Sequence, residues 1–96
     1  MRACRIDGNH TEIVAEFRRL KWYVLDIHTL KNCCDILVSK DFITYAIEIK
    51  DGNKPPSQRK LTSGELSFSK EWKGNFALIL SVNDVQRLDT YEFKKI

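Results

Sequence analysis

The stretch CCDILVSKDFITYAIEIK (residues 33–50) holds two apolar runs, and three charged residues interrupt them: Asp35, Glu48 and Lys50. Charged groups set against a core cost free energy unless they are paired, solvated or bound to metal. Side chains alternate along a strand, so Thr44, Ala46, Glu48 and Lys50 share one face of the second run, and Ile43, Tyr45, Ile47 and Ile49 share the other. A hairpin closed through residues 40–42 places position 35 opposite or diagonal to Glu48. Cross-strand Cβ separations of about 4.5–5.5 Å then bring Asp35 within reach of a shared ligand. Two close carboxylates repel unless a cation lies between them, and hard oxygen donors favour Mg²⁺ or Mn²⁺ with waters and phosphate oxygens completing the shell. A lysine beside such an ion can orient or deprotonate a water and stabilise charge building on a phosphate, which suits phosphodiester hydrolysis. A plain Glu48–Lys50 ion pair on a solvated sheet face has the same spacing.

The elements that would position these groups are legible in the pattern. In NHTEIVAEFRRL (residues 9–20), Asn9 followed by Glu12 resembles a capping box, and Ile13, Phe17 and Leu20 recur on one helical face with Val14 beside it. WYVLDIH, CDILVS and ITYAIEIK read as strands, the last two as a hairpin. DGNKPPSQRK is a basic, Pro-bearing loop leaving the sheet at Lys50. A second helix is predicted over residues 61–72: Thr62 is its N-cap, Glu65 completes a capping box, Leu61 and Leu66 form a staple, and Gly74 gives the stop. FALILSV reads as a strand covered on both faces, and NDVQRLDTYEF as a terminal helix capped by Asn83. The order is α-β-β-β-α-β-α, an α/β fold with a central mixed sheet flanked by helices.

Ninety-six residues, 43% hydrophobic and 10% aromatic, suit one domain spanning residues 1–96 and exclude a disordered chain. The net charge of +3 is a small excess, so a nucleic-acid partner must be argued from where the basic residues lie. No apolar run approaches the ~20 residues that span a bilayer, and the polar start MRACRIDGNH has no signal-peptide segment. A cytoplasmic protein with no membrane partner is expected. Cys4, Cys33 and Cys34 are odd in number and lack a Cys-x-x-Cys spacing, so buried free thiols are expected rather than disulfides. His10 and His28 could join Cys33 or Cys34 at a metal, but that spacing matches no structural zinc pattern.

Asp35 on one strand and the Glu-x-Lys of EIK on the next resemble the signature of the PD-(D/E)xK nuclease superfamily. The chain is similar in particular to its small stand-alone virus-type replication-repair (VRR-NUC) members from bacteriophages and prophages. RIDGNHTEIV, DILV, IEIKDGNKPPSQRKLT and the Glu71-Trp72 pair with Gly74 carry the likeness, from about Arg5 to the strand after Trp72. The resemblance implies a restriction-endonuclease-like core and a Mg²⁺- or Mn²⁺-dependent endodeoxyribonuclease with no small-molecule cofactor. It implies Asp35 and Glu48 as metal ligands, the Ile49 carbonyl completing the coordination, Lys50 as catalytic lysine, and Glu12 as an acidic residue assisting the metal. Glu12 as the capping partner of Asn9 stands beside that role. Two positions depart from the pattern: Cys34 stands where a proline commonly precedes the aspartate, and the second helix carries Glu65 and Leu66 where a glutamine is frequent. Glu65 is accounted for as a capping residue.

Lys54, Arg59 and Lys60 flank the site in the basic loop and suit the anionic backbone of DNA, which such contacts position without reading sequence. Arg5, Arg18, Arg19 and Lys21 could extend that surface. The resemblance further implies a homodimer, a preference for branched DNA such as a Holliday junction, and a place in the cytoplasm of a bacterial host. A non-catalytic DNA-binding module and a phage protein that binds another protein are the competing classes. The first does not call for the complete Asp35, Glu48 and Lys50 set, and the second leaves the carboxylates without a purpose.

Overall fold

The computed structural model describes residues 8–94; Cys4 and Arg5 lie outside them. The elements run α1 (His10–Arg19), β1 (Tyr23–Asp26), β2 (Ile36–Lys40), β3 (Ile43–Ile49), a short 3₁₀ turn (Pro56–Gln58), α2 (Ser63–Glu71), β4 (Asn75–Ile79) and α3 (Val82–Phe93). The expected order holds, as a small α/β fold with one mixed sheet. The strands lie in sequence order, β1-β2-β3-β4, antiparallel except for the parallel β3–β4 pair that the α2 crossover permits.

The alternation read in β3 decides the layers. Tyr45, Ile47 and Ile49 face a core with Ile13, Val14 and Phe17 of α1, Val24, Ile36, Val38, Ile79 and, from α3, Val85. Each large aliphatic or aromatic side chain buried there contributes about 1.5–3 kcal/mol. Trp22 closes the core at one end, where its indole N–H donates to Asp89 and the Lys40 ammonium donates to the same Asp89 oxygen and to the Leu20 carbonyl. Burial alone would raise the Asp89 pKa, but these bonds from Lys40 and Trp22 outweigh it and hold the carboxyl below its usual range. The opposite face carries Ala46 and Glu48 and meets α2 through Lys50–Glu65 and the Phe68–Phe76 rings. α2 buries no residue of its own there.

Several local expectations are corrected. Asn9 precedes α1 but makes no side-chain cap; its amide donates to the Lys50 and Leu80 carbonyls, 3.2 and 3.0 Å away, so no capping box with Glu12 forms. A tertiary clamp has won over the local cap. Among the described residues β4 is an edge strand, and Leu78, on the face it shares with Glu48, is 39% exposed, so the strand is not covered on both faces. α3 begins at Val82 with Ser81 before it, so Asn83 lies inside the first turn. Gly74 is not a left-handed helix stop, since no glycine has positive φ. α2 ends at Trp72, which is extended, and a Cβ on Gly74 would crowd the Trp72 indole at 2.9 Å. The Thr62–Glu65 capping box is present as expected, while Leu66 of the anticipated staple stays 43% exposed.

The hairpin tip is strained. Asp41 and Phe42 both have positive φ, 50° and 69°, as a two-residue primed turn requires, yet Phe42 has a Cβ and is fully exposed. Phe42→Gly should raise stability by about 0.5–1 kcal/mol, because the left-handed penalty goes and no packing is lost. A urea midpoint that falls instead would show that the Phe42 ring packs on the protein.

Candidate active site

β2 begins with an irregularity that matters. Ile36 is the register partner of Ile47, yet the Asp35 N–H also donates to the Ile47 carbonyl, at 3.0 Å. Two residues therefore face one, which is the mark of a β-bulge, a device that re-aims a side chain. The Asp35 carboxylate turns along β3 and accepts the Ile49 N–H at 2.8 Å. In a strand the N–H and C=O of one residue point to the same side, so the Ile49 carbonyl opens on the edge that Asp35 occupies.

Glu48 lies beside it, only 3% exposed. Burial pushes its carboxyl up, and the neighbouring Asp35 and Glu65 carboxylates push it further, to about 10. The Lys50 ammonium sits 3.9 Å from a Glu48 oxygen and 2.9 Å from Glu65, with the lysine side chain 13% exposed. Glu65 does two jobs. Its Oε1 accepts the Thr62 N–H at 2.8 Å and also takes the Lys50 ion pair. Burial would raise its pKa, but the Thr62 N–H and Lys50 outweigh burial and lower it. Capping alone explained its residue type, so no sequence signal pointed to its second contact. Cys34, in the position before Asp35, is buried, and burial with the charges of Cys33 and Glu48 nearby pushes its thiol up to about 12.

Asp35, Glu48 and Lys50 are thus brought together, and Glu65 joins them. Glu12 is not brought to them: it is exposed on α1, in the layer across the sheet, and lines a cleft of about 280 Å³ with Asp51, Arg59 and Asp84. In the basic loop, Lys54 and Lys60 are exposed, whereas Arg59 is half-buried with its Nε enclosed. Gly52 lets this loop pass flush against the end of β4. Its N–H donates to the Leu80 carbonyl at 3.0 Å, and a Cβ there would meet that oxygen at 2.7 Å. Arg19 is held in a fork by Glu16, at 2.8 and 2.6 Å, while Arg18 and Lys21 are exposed.

A divalent cation suits this donor set. The Asp35 and Glu65 carboxylates each lie against Glu48, all hard oxygen donors, and the buried Glu48 does not easily ionise on the charge of Lys50 alone. Asp35, Glu48 and the Ile49 carbonyl are the groups that could hold the ion, while Glu65 is occupied by Lys50 and Thr62. Sequence reasoning also missed a separate grouping of His10, Asp26 and His28, having tested the histidines against the cysteines rather than the aspartate. Among the described residues no helix is long and apolar enough to cross a membrane. No family model, curated protein or solved structure gives a significant match to the chain.

Proposed function

We propose that the protein is a Mg²⁺- or Mn²⁺-dependent DNA endonuclease with a restriction-endonuclease-like core, as its resemblance to the PD-(D/E)xK and VRR-NUC nucleases implies. The observation that carries this reading is the convergence of the Asp35 and Glu48 carboxylates with the Lys50 ammonium at the bulged start of β2. A hard cation bound there supplies positive charge to a phosphate and lowers the pKa of a bound water. The residues of the chain divide the remaining work. Asp35 and Glu48 would hold the ion, and the bond from the Ile49 N–H fixes the Asp35 rotamer. Lys50, its ammonium aimed by Glu65, would orient the attacking water by donating to it and offset charge on the phosphate oxygens.

Lys54 and Lys60 contact the DNA backbone. The double variant Lys54→Ala/Lys60→Ala should weaken binding on every sequence and reduce the salt slope of log K by about one for each lost contact. An unchanged slope would place the DNA elsewhere. A homodimer supplies the two active sites that paired incision needs, and the exposed Tyr23 and Leu25 on edge strand β1, 67% and 47% exposed, offer it an apolar surface.

The test is a cleavage panel of four-way junction, flap, single-stranded and duplex DNA with Mg²⁺, Mn²⁺ or EDTA, with the sedimentation mass measured alongside. Metal-dependent cutting, fastest on branched DNA, by a two-chain species is expected. Equal rates on linear duplex would remove the branched preference. A one-chain mass unchanged by junction DNA would remove paired incision, and no cutting with either metal would remove the enzyme.

A further inference from the structure

At the far end of β1 from the hairpin, three potential ligands meet that the proposed mechanism does not use. His10 is the first residue of α1 and only 4% exposed; its Nε2 lies 3.0 Å from Asp26 Oδ2. Asp26 ends β1, and His28 follows two residues later, with Nδ1 2.6 Å from Asp26 Oδ1 and its backbone N–H 3.2 Å from the same oxygen. The imidazole rings stand edge to face, 5.3 Å between centroids. One ligand atom from each residue lies within 4.8 Å of the other two. An ion bound at about 2.0–2.2 Å in tetrahedral geometry needs ligand atoms roughly 3.4 Å apart, so small side-chain rotations would bring these three into place.

We propose that His10, Asp26 and His28 form a second metal site, selective for Zn²⁺ or a similar late first-row divalent ion. Two imidazoles and one carboxylate suit zinc, and they give Mg²⁺ too few oxygen donors. The two sites therefore sort their ions by ligand chemistry: all oxygen around Glu48, two nitrogens and an oxygen here. The fourth position at zinc is left to solvent, on the side where Asp26 is 38% exposed and His28 27%.

Its position gives the ion a structural consequence. Ile27, between two ligands, donates its N–H to the Asp35 carbonyl at 3.0 Å. Asn9, adjacent to His10, donates to the Lys50 carbonyl. A metal joining His10 to Asp26 and His28 thus ties the start of α1 to the end of β1, one residue from backbone contacts to both Asp35 and Lys50. The buried Nδ1 of His10 has no partner among the described residues. Metal-bound histidines usually have such an outer partner, and its loss typically costs about 10–100-fold in affinity, so binding should be weaker than in closed structural zinc sites.

The test uses the full chain, stripped of metal by chelation and then titrated with Zn²⁺ or Co²⁺, and its readouts do not depend on DNA cleavage. One ion per chain should bind in this site. In the Asp35→Asn/Glu48→Gln protein, which lacks the carboxylate site, Zn²⁺ at a hundredfold excess over its Kd should raise the thermal midpoint by roughly 10–20 °C, while Mg²⁺ should not. The Co²⁺ form should show visible d–d bands without a thiolate charge-transfer band. His28→Ala and Asp26→Asn should each weaken binding by more than about 100-fold, and His28→Gln serves if the alanine variant fails to fold. Asp35→Asn/Glu48→Gln should leave Zn²⁺ binding intact. A thiolate band, binding unaffected by the His28 and Asp26 variants, loss of binding in the Asp35/Glu48 variant, or no Zn²⁺ binding at all would each overturn the proposal.

Discussion

Lys50→Ala should cut DNA about 10²–10⁴-fold more slowly than the parent while binding it with similar affinity. Binding should survive because the phosphate contacts proposed for Lys54 and Lys60 and the carboxylates of Asp35 and Glu48 are untouched. The same substitution has a structural cost that the sequence understates. A surface pair is worth at most ~1 kcal/mol, but the Lys50 side chain is 13% exposed and its ammonium lies 2.9 Å from Glu65 and 3.9 Å from Glu48. Removing it leaves the partly buried Glu65 carboxylate without that cation and makes Glu48 still harder to ionise, at about 1–3 kcal/mol. The two losses separate on adding metal. Mg²⁺ should restore the stability of Lys50→Ala, because it supplies the missing charge, and should leave the rate depressed. A variant that recovers the parental rate at saturating Mg²⁺ would reduce Lys50 to a charge-balancing residue.

Glu48→Gln should abolish cutting and, in EDTA, make the protein more stable than the parent above pH 5. The unfolded carboxyl has a pKa near 4.5, and burial together with Asp35 and Glu65 pushes the folded one up to about 10. The folded state therefore holds the Glu48 proton more tightly than the unfolded state. The penalty is absent below 4.5, grows as the pH rises, and levels off near 10. By pH 7 it is on the order of 3 kcal/mol. Glutamine keeps the shape and does not ionise, so the parent should lose urea stability between pH 5 and 9 relative to Glu48→Gln. Bound Mg²⁺ should remove most of that difference. Parallel pH profiles for the two proteins in EDTA would show that Glu48 ionises freely in the fold, and the argument for a cation at this position would lose its electrostatic basis.

How much of this was legible in the sequence varied with the range of the forces. Period-two alternation in ITYAIEIK separated the faces of β3, because one face meets an apolar core and Glu48 and Lys50 could not lie there. The short connection then put Asp35 beside Glu48. What the hairpin rule omits is the bulge: Asp35 bonds to Ile47 rather than pairing with Glu48, an irregularity at the start of β2 that has no local signal. Thr62 and Glu65 were readable as a capping box because that motif is confined to one helical turn. The long-range contacts were not. Asn9 gives up its cap to clamp carbonyls 41 and 71 residues away, and Glu65 reaches Lys50 across the basic loop. The apolar run of β4 looked doubly covered, but strand order, which composition does not encode, left it at the edge.

The most direct test of the account is a calorimetric titration of Mn²⁺ into parent and Glu48→Gln protein, with DNA cleavage followed over the same metal concentrations. The parent should bind the ion, Glu48→Gln should not, and the cutting rate of the parent should rise with occupancy and vanish in EDTA. Undiminished Mn²⁺ binding by Glu48→Gln, or cutting that persists in EDTA, would contradict the claim that Asp35 and Glu48 hold the metal that makes this protein a nuclease.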